Sequence, residues 1–407
     1  RKFHKIVQSF EPSVFDAAEL TLPEMLKARG YRTACVGKWH LGWDWDAIKR
    51  PGAKPDPKTG YAPEAFDWSK RIPGGPLDHG FDYYFGDDVP NFPPYTWFEN
   101  DRVLVAPNVP RVMPQNIPEG AWEARPGPMV EGWDFFAVMP KLTEKAIAWL
   151  QAQRGKAEPF FLYVPFTSPH APIVPTPEFV GKSKAGGYGD FMVQTDDTVG
   201  RILKAIDELG ARENTIVVFT ADNGPEHYAY PRIQNHQHRS AGPLRGLKRD
   251  LWEGGHRVPF VVRWPGVVAA GGVSPALTSQ VDLMATFAAV TGAKLPAGAA
   301  EDSHDLLSVW KSRAPSPRQT IVHNTNANGY ALRHQQWLLV VAKTGAVSRV
   351  PAWFDQENKY AANNQPGELY DLSKDLAQRD NLYARQPERV AELQALLAEV
   401  KAKGQVR

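Results

Sequence analysis

Four times in 407 residues a short apolar run breaks off into a loop of unusual polar content. Residues 31–36 lead into Gly37-Lys38-Trp39-His40-Leu41-Gly42, residues 160–165 into Thr167-Ser168-Pro169-His170, and residues 215–220 into Asp222-Asn223-Gly224. The fourth run, 258–264, follows Arg245-Gly246-Leu247-Lys248 and Glu253-Gly254-Gly255-His256-Arg257. Helical patterns alternate with these runs. Thr21-Leu22-Pro23-Glu24 has the form of a capping box and opens a helix that should stop at Gly30. Residues 141–154 set Leu142, Ala146, Trp149 and Leu150 on one face, and 191–209 does the same with Val199, Ile202, Leu203 and Ile206. Residues 281–290 predict another helix, ending at Gly292. Such alternation predicts a layered α/β domain with a mostly parallel central sheet. The run 159–165 is apolar throughout and reads as a strand buried on both faces.

Two stretches break the rhythm. Residues 43–138 are rich in Pro, Gly, Asp and aromatics, show little periodicity, and read as long loops. After residue 295 the pattern turns to short strands at 320–323, 337–341 and 368–371, then an amphipathic helix over 387–401. The expected division is therefore an α/β domain over 1–295 and a smaller C-terminal antiparallel α+β subdomain over 296–407.

Composition excludes several classes. Forty-seven Lys and Arg against 45 Asp and Glu leave a net charge of +2, which provides no global field for nucleic acid or an anionic membrane. No apolar run approaches the 18 or so residues of a membrane span. The single cysteine, Cys35, rules out an internal disulfide framework and a cysteine-built zinc site.

Chemistry is concentrated at the strand tips, where open α/β sheets collect their ligands. Lys38 and Lys248 offer fixed positive charge for a tetrahedral oxyanion, and His40 and His170 exchange protons near neutrality. Asp222 and Asn223 offer hard oxygen ligands of the kind calcium or magnesium takes. Taken singly, each has an ordinary reading: Asp-Asn-Gly is a common turn, and Arg245, Lys248 and Arg249 could simply form a wet face. His227, His236 and His238 lack the i, i+4 spacing of a helical metal pair, so lining of a substrate pocket or plain loop is the reading there. It is the combination at four tips that singles out a site.

These residues carry a resemblance. Gly30-Tyr31-Arg32-Thr33-Ala34-Cys35-Val36-Gly37-Lys38-Trp39-His40 resembles the second signature of the formylglycine-dependent sulfatases. Residues 160–170, Thr220-Ala221-Asp222-Asn223-Gly224, residues 246–259 and Glu368-Leu369-Tyr370-Asp371-Leu372 resemble the same family in the same order. The resemblance implies an alkaline-phosphatase-like fold and hydrolysis of a sulfuric ester. It implies Asp222 and Asn223 as ligands of one Ca²⁺, and Lys38 and Lys248 on the sulfate oxygens. His170 would protonate the leaving oxygen, His40 would assist the aldehyde hydrate of the nucleophile, and His236 joins the substrate-binding group. The expected partner is a sulfated small molecule or glycan, and family habit places such enzymes in the periplasm, outside the cell or in the lysosome.

The family's Cys-x-Pro-Ser-Arg motif, source of the formylglycine, is absent, and Cys35 within its strand does not replace it. The spacing of residues 1–10 predicts a segment just downstream of that nucleophile, so the chain is expected to be N-terminally truncated and weakly active or inactive as it stands, with the remaining calcium ligands upstream of Arg1. Two other readings stay open: a phosphoesterase of the same superfold, and a non-catalytic glycan-binding protein that kept the fold.

Overall fold

The computed structural model describes residues 6–16, 18–325 and 329–406. Half of the segment 1–10 expected to follow the nucleophile thus lies outside the described residues. Two compact units divide the chain, Ile6–Arg212 and a second from Glu213 onward.

In the first unit, α1 (Leu22–Lys27) begins as its sequence predicts. Thr21 Oγ1 accepts the Glu24 N–H at 3.3 Å while the Glu24 carboxylate accepts the Thr21 N–H at 2.8 Å. There follow β1 (Arg32–Lys38), β2 (Tyr83–Asp88), β3 (Phe98–Glu99), β4 (Arg102–Val103), β5 (Val109–Pro110), β6 (Pro128–Met129), α2 (Val138–Gln151), β7 (Phe160–Tyr163) and α3 (Gly186–Glu208). The main sheet has the order β4-β3-β2-β1-β7. Its three principal strands are parallel, with Cys35 of β1 opposite Tyr84 on one side and Tyr163 on the other, while β3 and β4 add antiparallel at the edge.

Side chains of β1 and β2 explain why the sheet is central. Tyr84 packs with Trp43, Trp45, Phe66 and Phe98 on one face; Val36 and Phe85 pack with Val138, Leu142 and Ala146 of α2 on the other. Each fully buried aliphatic or aromatic side chain there contributes about 1.5–3 kcal/mol. Two expectations change. β2 lies inside the stretch read as loops: covered on both faces and ending in two carboxylates, Tyr-Tyr-Phe-Gly-Asp-Asp shows no alternation to detect. Among the described residues β7 stands at the edge of this sheet, and it is not buried throughout: Phe160, Phe161 and Leu162 are half-buried and Tyr163 is 48% exposed.

The second unit contains β8 (Val217–Thr220), α4 (Ala229–His236), α5 (Glu253–His256), β9 (Phe260–Arg263), α6 (Leu283–Thr291), α7 (Leu307–Ser312), β10 (Thr320–Asn324), β11 (Tyr330–His334), β12 (Trp337–Val340), α8 (Ala352–Asn358), β13 (Glu368–Asp371) and α9 (Pro387–Lys403). β8 and β9 pair with each other, antiparallel, Val218 opposite Val262, over a cluster built on Leu306, Val309 and Trp310. Among the described residues they form a two-stranded sheet of their own. The antiparallel sheet expected near the C-terminus is present in the order β10-β11-β12-β13, with Leu332, Leu339 and Leu369 under Val390, Leu393 and Leu397 of α9. Its strand β11 went unpredicted, since Arg333 and His334 interrupt a short apolar run. Among the described residues no helix is long and apolar enough to cross a membrane.

Candidate active site

In the first unit, the loops after β1 and β7 leave neighbouring parallel strands at their carboxyl ends. The Lys38 N–H donates to the Pro165 carbonyl at 2.7 Å, which locks the two tips together. Gly37 makes the approach possible: its φ is +141°, and a Cβ there would stand 2.1 Å from the Pro165 oxygen. Lys38 itself is half-buried.

His170 sits on the tip of the β7 loop, half-buried, with its N–H on the Thr167 carbonyl. Ser168 of the same turn is tied to α3, accepting the Thr195 hydroxyl at 2.7 Å. The His170 Nδ1 lies 2.8 Å from the Ala171 carbonyl. A carbonyl only accepts, so Nδ1 carries a proton and Nε2 is the nitrogen that exchanges one. His40 is held the other way, Nε2 donating to the Val7 carbonyl at 3.0 Å while its ring stands edge-on to Phe92.

Two carboxylates the sequence reading passed over close this end of the sheet. Asp88, opposite Lys38 in the strand register, accepts the His40 N–H at 3.3 Å. Asp87 is 2% exposed, and among the described residues neither of its side-chain oxygens has a hydrogen-bond partner. Burial raises the Asp87 carboxyl to about 7, Asp88 adding to the rise and Lys38 opposing it. Burial likewise raises Asp88 to about 6, against the Trp43 indole, the His40 N–H and Lys38. The available signal was a Gly-Asp-Asp at the end of an aromatic run. Cys35 is fully buried, and burial pushes its thiol far above the ordinary value, which leaves it no role as a nucleophile.

The second unit brings Asp222, Asn223 and Lys248 together. Gly224 packs so tightly that a Cβ would lie 1.8 Å from the Gly254 oxygen, and its N–H donates to Gly255 at 3.0 Å. The Lys248 N–H donates to Pro225 at 2.8 Å, joining the loop after β8 to the loop before α5. Asp222 is exposed, and Asn223 turns its amide N–H back to the Gly224 carbonyl at 2.9 Å. That bond engages the Asn223 amide N–H and leaves its amide oxygen as the atom to offer a cation, next in sequence to the Asp222 carboxylate. The pair fits two oxygen ligands of a hard cation, out of the six to eight that calcium takes; among the described residues no group of three or more His, Cys, Asp and Glu side chains could hold a metal by itself. Glu226, also unforeseen, binds the Arg249 guanidinium through both oxygens, at 2.5 and 2.7 Å. His236 is exposed at the end of α4, a helix where loop was expected, and His238 is half-buried, its ring pushed below the ordinary value by burial and by Arg232.

A lysine and an oriented imidazole on adjacent strand tips are suited to cleaving esters of tetrahedral oxyanions. Comparison with known proteins narrows the class. A family model described as Sulfatase matches residues 3–293. The chain is 32% identical to N-acetylgalactosamine-6-O-sulfatase of Bacteroides thetaiotaomicron, across 96% of this chain and 78% of that protein. It is 35% identical to N-acetylgalactosamine-6-sulfatase of Mus musculus over 71% of this chain, spanning about half (48%) of that relative's length. Human arylsulfatase A is 32% identical over 89% of this chain and 67% of its own. A solved structure from work on glycosaminoglycan metabolism by Bacteroides thetaiotaomicron superposes with a TM-score of 0.77 at 30% identity, covering 97% of this chain and 85% of that one. A complex with D-glucosamine-2-N,6-O-disulfate, at 17% identity and a TM-score of 0.60, shares the fold. The chain belongs to the sulfatase family, the hydrolases of sulfate esters.

Proposed function

We propose that the protein releases sulfate from a sulfated carbohydrate, with a 6-O-sulfated amino sugar such as N-acetylgalactosamine as the first substrate to try. The relatives named for N-acetylgalactosamine 6-sulfate support that choice. So does Trp122, 71% exposed, a flat apolar surface on which a sugar ring can lie. The periplasmic, extracellular or lysosomal setting expected from the family goes with this reading.

A sulfate ester has no proton to give, so hydrolysis rests on charge stabilisation at sulfur and protonation of a poor alkoxide leaving group. Lys38 and Lys248 are assigned to the sulfate oxygens. His170 is assigned to the leaving oxygen, where its Nε2 delivers a proton once the ring is charged. His40 is assigned to the aldehyde hydrate of the nucleophile, and His236 to the organic part of the substrate. A Ca²⁺ ion held by Asp222 and Asn223 would supply further positive charge to the sulfate oxygens. The proposed nucleophile is a formylglycine; no Cys-x-Pro-Ser-Arg or Ser-x-Pro-Ser-Arg occurs between Arg1 and Arg407, so it is assigned to residues outside this sequence.

One observation carries the reading: Lys38 and His170 lie on adjacent strand tips, with the imidazole held through Nδ1 so that Nε2 is the nitrogen that exchanges a proton. The test uses the complete reading frame. Mass spectrometry should find formylglycine, and sulfate release from an aryl sulfate and from N-acetylgalactosamine 6-sulfate should exceed phosphate release from the matching phosphate. His170→Ala should lower kcat about 10²–10⁴-fold without lowering Tm. Faster phosphate release, or an unchanged kcat in H170A, overturns it.

A further inference from the structure

We propose that Glu226, with Arg249, is a positioning pair that aims the Lys248 ammonium at the sulfate oxyanion without neutralising it; the inference rests on the role given to Lys248 above. Glu226 follows the Asp222-Asn223-Gly224-Pro225 loop, and its side chain is 16% exposed. Its carboxylate accepts both Arg249 Nη atoms at 2.5 and 2.7 Å, and the His227 N–H and Nδ1 at 2.9 Å each. Lys248 Nζ stands 3.9 Å from Oε2, within ion-pair reach and outside hydrogen-bond range.

The contrast in distances decides the roles. A lysine ammonium on a four-carbon stem has no fixed direction of its own. A carboxylate at 3.9 Å biases that direction, while Oε1 takes one Arg249 Nη and both His227 donors and Oε2 is engaged by the other Arg249 Nη. Arg249 also offsets the Glu226 charge. The donors of Lys248 and its net positive charge are thereby kept for a ligand.

Backbone geometry points the same way. Arg249 adopts φ +79°, a left-handed conformation that costs a non-glycine residue of order 1–3 kcal/mol and persists only where surroundings over-determine it. Here they do. Asp250 Oδ2 accepts the Leu247 N–H at 2.8 Å, its Oδ1 accepts Val347 and Ser348, and the Lys248 N–H is fixed on Pro225. The turn is held so that Arg249 folds back on Glu226. Burial would raise the Glu226 carboxyl, yet the Arg249 and His227 hydrogen bonds outweigh it and hold it at about 2, so the pair is ionic at any working pH.

The two partners then predict opposite failures. Glu226→Gln removes the aim, and kcat should fall about 10–100-fold with little change in KM. Arg249→Ala frees the carboxylate to capture Lys248, so KM for the sulfate ester should rise. In the Lys248→Met background, E226Q should add nothing. A second measurement needs no turnover: amine acylation of the chain Arg1–Arg407, read by peptide mass spectrometry. Labelling of Lys248 relative to Lys141 should rise several-fold in E226Q and fall in R249A. If K248M is fully active, the reading of Lys248 and this inference fall together. If K248M is crippled while E226Q is silent, or additive with it, or leaves Lys248 labelling unchanged, only this inference falls. Should E226Q not fold, Glu226→Asp, which keeps the charge but withdraws it by one methylene, gives the same comparisons.

Discussion

Asp87 shows how a single residue can set a pH dependence. Its carboxyl is raised from the ordinary value to about 7, so between about pH 4 and pH 7 the folded chain holds a proton that the unfolded chain has lost. The sign is therefore a loss of stability as pH rises through that window, up to about 4 kcal/mol at 1.36 kcal/mol per unit. Asp87→Asn removes the ionisation. Its Tm relative to the parent is expected to be near zero or slightly negative at pH 4 and to climb steadily towards pH 8; a difference that does not vary with pH refutes the assignment. Asp87 was invisible in the sequence because a carboxylate pair after a Gly resembles a solvated turn. Lys38 and His170 were visible, because polar residues in the loop that follows a predicted strand fall at the strand tip.

At the scale of elements, the short helix α5 and strand β10 meet through two imidazoles. His256 and His323 stack with centroids 3.9 Å apart. Burial pushes His256 down to about 3, the His323 ring adding to the effect, and burial pushes His323 to about 4. Both are lowered, so the unfolded state takes up protons first, and the stability they allow is lost as pH falls from about 6.5 towards 4 and 3. His256→Phe keeps the stacked ring and removes one titration. Plots of unfolding free energy against pH should flatten by about 1.4 kcal/mol per unit across pH 6 to 4, and an unchanged slope would sink the claim. The loop after β8 makes a second case. Gly224→Ala would force a Cβ to 1.8 Å from a backbone oxygen that cannot swing aside, and is expected to cost about 1–3 kcal/mol in urea unfolding and to displace Asp222 and Asn223. Short apolar runs identified β8 and β9 as strands, but their antiparallel pairing was not legible, since strand patterns do not name partners.

Over the whole molecule, the two compact units, Ile6–Arg212 and the one from Glu213 onward, each have their own core, with the parallel strands in the first and the four-stranded antiparallel sheet in the second. The antiparallel sheet depends on α9, whose Leu393 is fully buried against Leu332, Leu339 and Leu369. Leu393→Ala is expected to cost about 2–5 kcal/mol in denaturant unfolding. A cost below about 1 kcal/mol would mean that α9 is not part of the cooperative core. The buried pair of Arg318 and Asp282, with two hydrogen bonds at 2.5 and 2.8 Å, ties the start of β10 to the turn before α6 in the same unit. No pattern in the sequence announces it, because the partners are 36 residues apart and each reads locally as a surface charge.

What the sequence determined by itself is whatever depends on neighbours along the chain. The Thr21 cap, the faces of α2 and α9, the glycines that end helices and the polar tips at Lys38, His170 and Asp222 all follow from spacing within a few residues. Tertiary structure alone decided which strands lie side by side, that Tyr163 of β7 is exposed, that Asp87 is buried, and that Glu226 engages Arg249 more closely than Lys248. Those facts turn on distances between residues far apart in the chain and on the water that packing excludes, and neither is written in local periodicity.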